Sequence, residues 1–170
     1  GEYKARAKQH AEAAQAFSKV TETSRYGQRA LYNEGLSWAE QNEVGRAIKA
    51  FQTLLSMKRG SEVTDNVRVG AQLALARAYY QKHNWEAALE LYHKIPRDSE
   101  MWHDALFEST WAYLRAAKFR SALSNLQSLH SDYYDDFYNP ESLILRAIVY
   151  LYICKYDEME KVLRLFEKTY

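Results

Sequence analysis

A self-similarity at a fixed interval constrains this chain more than any other feature. The stretch Leu73–Ile95, LALARAYYQKHNWEAALELYHKI, reads as two short helices joined by a tight polar turn, Lys82-His83-Asn84. The first helix carries Leu75, Ala76 and Tyr79; the second carries Ala88, Tyr92 and Ile95 on one face. A step of 34 residues turns Tyr79 into Tyr113, Trp85 into Phe119, Ala88 into Ala122, Tyr92 into Leu126 and Ile95 into Leu129. A unit this short cannot bury its apolar face alone, so recurrence at this period predicts stacked helical hairpins that share a continuous core.

The register extends in both directions. Residues 3–22 read as one helix with Ala13, Phe17 and Val20 on a face, and Ala13 and Phe17 lie 34 residues before Ala47 and Phe51. This helix is either the second half of a repeat whose first half lies upstream, the chain being an excised piece that starts without Met, or a capping helix. Within residues 25–57, Leu31, Gly35 and Trp38 mark a first helix and Ala47, Ile48, Phe51 and Leu54 a second. A helical Gly costs roughly 1 kcal/mol against Ala, so a close helix approach should favour Gly35. Ala47 and Ala88 stand 41 residues apart, and the excess falls in Ser56–Val69. That insertion reads as a lengthened loop, or as a binding loop, with Asp65 as N-cap of the next helix. Ala122 and Met159 stand 37 residues apart, the excess lying in the acidic, aromatic run SDYYDDFYNP before Glu141. The resulting division is 1–24 as half repeat or cap, then repeats at 25–60, 66–100, 101–134 and 140–170, in one domain. Leu163, Leu165 and Phe166 near the end need cover from within the hairpin or from further sequence.

The spacing, with a small residue and an aromatic on the first helix and A-x3-F on the second, resembles the tetratricopeptide repeat family over about residues 25–170. The resemblance implies an all-α, right-handed superhelical solenoid of about nine helices. It also implies a protein that holds a peptide or protein segment in a concave groove lined by the first helices. The stretches Asn139-Pro140-Glu141-Ser142-Leu143 and Cys154-Lys155-Tyr156-Asp157 are also similar to tetratricopeptide segments of bacterial cell-envelope and gliding-motility machinery. That second likeness implies a bacterial periplasmic, envelope or cytoplasmic setting. Some members of the family clamp a terminal carboxylate with Lys, Asn and Arg. The matching positions here hold Tyr32, Leu36, Ala74, Asp104 and Glu108, and two acids would repel a carboxylate.

The family geometry assigns the groove to Tyr32, Asn33 and Leu36; Leu73, Arg77 and Tyr80; Phe107, Glu108, Trp111 and Leu114; and Ile144, Ile148 and Tyr152. Arg77, Tyr80, Phe107 and Trp111 would be its centre. A run of aromatic and aliphatic groups of this kind marks a partner site when it is exposed. It could equally be consumed by packing across a tight superhelix, or be covered by a flanking helix. Self-association through exposed solenoid ends is the alternative function.

Composition removes other classes. Lys plus Arg number 23 against 22 Asp plus Glu, and this balance offers no electrostatic case for nucleic acid or anionic membrane. No apolar run is long enough for a membrane span. The single cysteine, Cys154, excludes an intrachain disulfide and a multi-thiolate zinc site. Its place in YLYICKY predicts a buried, mid-helix thiol. His10, His83, His93, His103 and His130 include no i, i+4 pair, and no phosphate-loop, dinucleotide or nucleophile-elbow motif occurs. Asp132, Asp135 and Asp136 lack the spacing of a calcium loop. The expectation is therefore a non-enzymatic protein with no cofactor, no metal and no small-molecule substrate, acting on a protein partner.

Overall fold

Short turns at a repeated register cut the chain into helix pairs. In a computed structural model the described residues are 2–6, 9–21, 24, 26–58, 62–131 and 140–170, and they contain ten helices and no strand. These are α1 (Glu2–Arg6), α2 (His10–Phe17), α3 (Gly27–Glu40), α4 (Val44–Ser56), α5 (Glu62–Gln81), α6 (Trp85–Tyr92), α7 (Trp102–Arg115), α8 (Phe119–Leu129), α9 (Pro140–Tyr152) and α10 (Tyr156–Thr169). They fall into two compact units, Gly1–Met101 and Trp102–Tyr170.

Four turns share one device. Asn42, His83, Ala117 and Cys154 have φ of 60°, 59°, 55° and 56°, in the left-handed region. They recur at intervals of 41, 34 and 37 residues, the spacings of Ala47, Ala88, Ala122 and Met159. After each one, the next residue donates its N–H back to the carbonyl five positions earlier: Glu43 to Trp38 at 2.9 Å, Asn84 to Tyr79 at 3.0 Å, Lys118 to Tyr113 at 2.8 Å and Lys155 to Tyr150 at 2.9 Å. This is the Schellman closure of a helix C-terminus, and it reverses the chain within three residues into an antiparallel hairpin. Cys154 therefore corrects the mid-helix reading. It is exposed in the α9–α10 turn, because its backbone and not its side chain meets the local need.

In the first unit, Ala13 and Phe17 of α2 pack on Ala30 of α3. Ala47, Phe51 and Leu54 of α4 pack with Ala71, Ala74 and Leu75 of α5. A Cβ at Gly35 would run into the Phe51 ring, which is itself wholly buried, so the close approach expected at Gly35 is present. In the second unit, Ala122, Leu126 and Leu129 are buried in α8. Leu143, Ala147 and Val162 form the core of the α9–α10 hairpin with Met159 against it. The small repeat positions Ala13, Ala47, Ala88 and Ala122 are all fully buried, as their register requires.

Three boundaries differ from expectation. The helix expected over 3–22 breaks at Gln9, whose ψ of 62° leaves the helical region, and α2 ends at Phe17. The insertion after α4 is largely helix, not loop: α5 starts at Glu62, ahead of Asp65, and runs for 20 residues. Arg68 explains how that longer helix is used. Its guanidinium donates to the carbonyls of Leu54 and Met57 at 3.0 Å and of Leu55 at 2.7 Å, capping the C-terminus of α4. Finally, Phe166 is packed within the last hairpin while Leu163 and Leu165 stay 37% and 47% exposed, so the hairpin covers only part of that apolar set.

Candidate functional site

The residues expected to line a groove fall on both units, and each unit presents its own share. On α3, Tyr32 turns inward: its ring lies 6.3 Å from that of Phe51, and its hydroxyl would be 3.1 Å from a Cβ at Gly70. It holds α3 against α4 and α5, a core role. Asn33 and Leu36 border a cleft of about 300 Å³ together with Phe17, Arg29 and Ser37, flanked by Ala5 and Arg6 of α1. Leu36 is 37% exposed there. Arg29 reaches Glu2 of α1 across 3.8 Å, both side chains largely in solvent, so that pair contributes little.

On α5, Leu73 is a correction. It is buried at 4% exposure and offers a partner almost no surface. Arg77 is exposed. Tyr80 is half-buried, its ring 4.9 Å from Trp85 at the start of α6, with His83 5.1 Å from the same indole. This aromatic corner is held from both sides of the turn.

In the second unit, Phe107, Glu108, Trp111 and Leu114 on α7 are all half-buried. The opposite side of α7 is fixed by polar contacts: Asn125 of α8 donates to the Leu106 carbonyl at 3.2 Å and to Ser109 Oγ at 2.8 Å. On α9, Ile144 is 36% and Tyr152 61% exposed, Ile148 is half-buried, and Tyr152 stacks on Phe119 at 6.0 Å. Leu151, 50% exposed beside them, was missed by the family geometry.

Titratable groups add detail. His130, at the C-terminus of α8, places Nε2 2.7 Å from Ser142 Oγ at the start of α9. Burial, and then the positive charge of Arg146, hold its pKa below the ordinary histidine value. Burial also lowers His103, partly offset by Asp104. Near the α9–α10 turn, a cleft of about 500 Å³ contains Cys154 and Tyr156. A hydrogen bond with Cys154 raises the Tyr156 phenol above its usual value. Among the described residues, no group of three or more His, Cys, Asp or Glu is placed to hold a metal. No helix among them is long and apolar enough to cross a membrane. The acidic run with Asp132, Asp135 and Asp136 lies outside the described residues.

No family model matches the sequence, and no curated protein matches it. Solved structures do. Two crystal structures of a protein named MamA superpose with TM-scores of 0.80 and 0.81 at 14% identity, covering 98% of this chain and 91% and 86% of theirs. A Podosopora anserina protein described as a kinesin light chain with nearly identical TPR-like repeats superposes with a TM-score of 0.73 at 14% identity. That alignment covers 98% of this chain and 91% of the other. The chain therefore has an all-helical, tetratricopeptide-like fold.

Proposed function

We propose that the chain is a non-catalytic interaction scaffold that holds a peptide or protein segment against the exposed flanks of its first helices and so recruits one component of a larger assembly. The observation that carries this reading is the set of aromatic and aliphatic groups those helices present, one or two to a helix: Leu36 on α3, Tyr80 on α5, Trp111 on α7, and Ile144 and Tyr152 on α9. Solvent contact at Leu36, Ile144 and Tyr152 is more than folding needs, and Trp, Tyr and Arg dominate interface energetics. Tyr32 and Leu73, being engaged in the core, are left out of the contact set. The tetratricopeptide-like fold supports a protein as the partner class.

Affinity capture from a native lysate tests the reading. The full chain as bait should retain a protein that a Leu36→Glu, Tyr152→Glu bait does not, both baits having the same helical signal. Equal capture by the two baits would contradict it. A second reading, self-association, is favoured by the exposed Leu163 and Leu165 on α10. Light scattering that gives a monomer mass at every concentration would remove it.

A further inference from the structure

The chain carries a second recess, on the other flank of α3 from Asn33 and Leu36. With 3.6 residues per turn, Leu31, Glu34 and Trp38 face away from those two. They floor a furrow of about 530 Å³ between α2 and α4, with Phe17 and Ala50 as apolar walls and Arg46 and Lys49 on the rim.

The furrow differs from its counterpart in the next repeat. There Gln52 of α4 donates to the Tyr79 hydroxyl on α5 at 2.8 Å and ties the wall to the floor. One repeat earlier, Gln52 is replaced by Ser18 and Tyr79 by Trp38. Ser18 donates to the Gln15 carbonyl at 3.0 Å, and Trp38 offers no hydroxyl. The charge of the rim is also particular to this repeat. Arg46 and Lys49 correspond to Ala87 and Glu90, to Ser121 and Ser124, and to the paired Glu158 and Lys161. Arg46 lies 4.4 Å above the Trp38 ring, so its guanidinium is positioned while its edge can still donate. Glu34, the furrow's carboxylate among the described residues, already accepts the Trp38 indole N–H at 3.2 Å.

We propose that this furrow is a second docking site, for a protein segment that presents a carboxylate next to a bulky apolar side chain. The apolar group enters against Phe17, Leu31 and Ala50, and the carboxylate meets Arg46 and Lys49. Two cations one turn apart over an apolar floor fit that combination, and they repel a basic segment.

The test uses the full chain and a short peptide of alternating Glu and Leu, with Lys–Leu and Glu–Ser peptides and a thymidine oligonucleotide as comparators. The reporter is the Trp38 indole N–H resonance, identified by its loss in Trp38→Phe. The Glu–Leu peptide should shift that resonance saturably, and the comparators should not. An Arg46→Glu, Lys49→Glu variant should bind at least about tenfold more weakly. An Arg46→Ala, Lys49→Ala variant should lose a smaller part, both variants unfolding at the wild-type temperature. An unmoved Trp38 resonance, equal binding of the Lys–Leu peptide, stronger binding of the oligonucleotide, or undiminished binding by the charge-reversed variant would each overturn the proposal. Loss of capture by the Leu36→Glu, Tyr152→Glu bait bears on the other flank alone, so the two sites fail independently.

Discussion

Ala117 holds φ of 55° with nothing in its side chain to favour it. A left-handed backbone costs an L-residue roughly 1–2 kcal/mol, whereas glycine adopts it freely but loses more chain entropy on folding. Ala117→Gly should therefore stabilise the protein by about 0.5–1 kcal/mol net. A lower denaturation midpoint would contradict the turn geometry. His130 supplies a pH-dependent term. Its folded pKa lies below the ordinary 6.5, so the unfolded chain binds more protons as the solution is acidified. The stability it lends is fully present above pH 6.5 and is lost as pH falls below that value toward the depressed folded pKa. The melting temperature should fall between about pH 7.5 and about pH 5.5, and His130→Gln should flatten that slope. An unchanged slope would assign the loss to other groups. At this scale the sequence announced little. Asn42 and His83 belong to types enriched in this backbone, whereas Ala117 and Cys154 give no local signal. Cys154 misled because its apolar neighbours suggested a helix interior while the register put it in a turn.

The helices themselves were legible where small and large residues recur at fixed intervals. Ala47, Ala88 and Ala122 are buried as their register requires, and Gly35 meets the Phe51 ring. Boundaries were legible only where a residue marks them, as Pro140 does at the first position of α9. Nothing in residues 7–10 declares the break at Gln9, and the polar run before Val67 reads as loop although α5 continues through it. Arg68 makes that continuation useful. It donates to the carbonyls of Leu54 and Leu55 in the last turn of α4 and of Met57, the C-cap residue, where helix carbonyls run short of intrahelical partners. Arg68→Ala should cost roughly 2 kcal/mol in chemical denaturation. Arg68→Lys should recover only part, since an ammonium cannot present the same fork of donors. Full recovery by Lys would mean that charge near the helix end, rather than the hydrogen bonds, carries the effect.

For the molecule as a whole, periodicity revealed the architecture because each hairpin repeats the same packing problem. The proposed partner surface was legible only in part. Residues on one helix face share a spacing whether they meet solvent or a neighbouring helix, and the spacing alone could not tell Leu73 and Tyr32, which pack inward, from Leu36 and Tyr152, which remain exposed. Trp111 stands between these cases, half-buried on α7, and so decides most about the proposed function. The direct measurement is the affinity of the captured partner for the Trp111→Ala protein, taken together with that protein's melting temperature. As a contact residue, Trp111 should cost about 2 kcal/mol or more of binding on truncation, roughly a thirtyfold loss, while the melting temperature stays near wild type. Wild-type affinity in a stably folded Trp111→Ala protein would contradict the placement of the partner on the first helices.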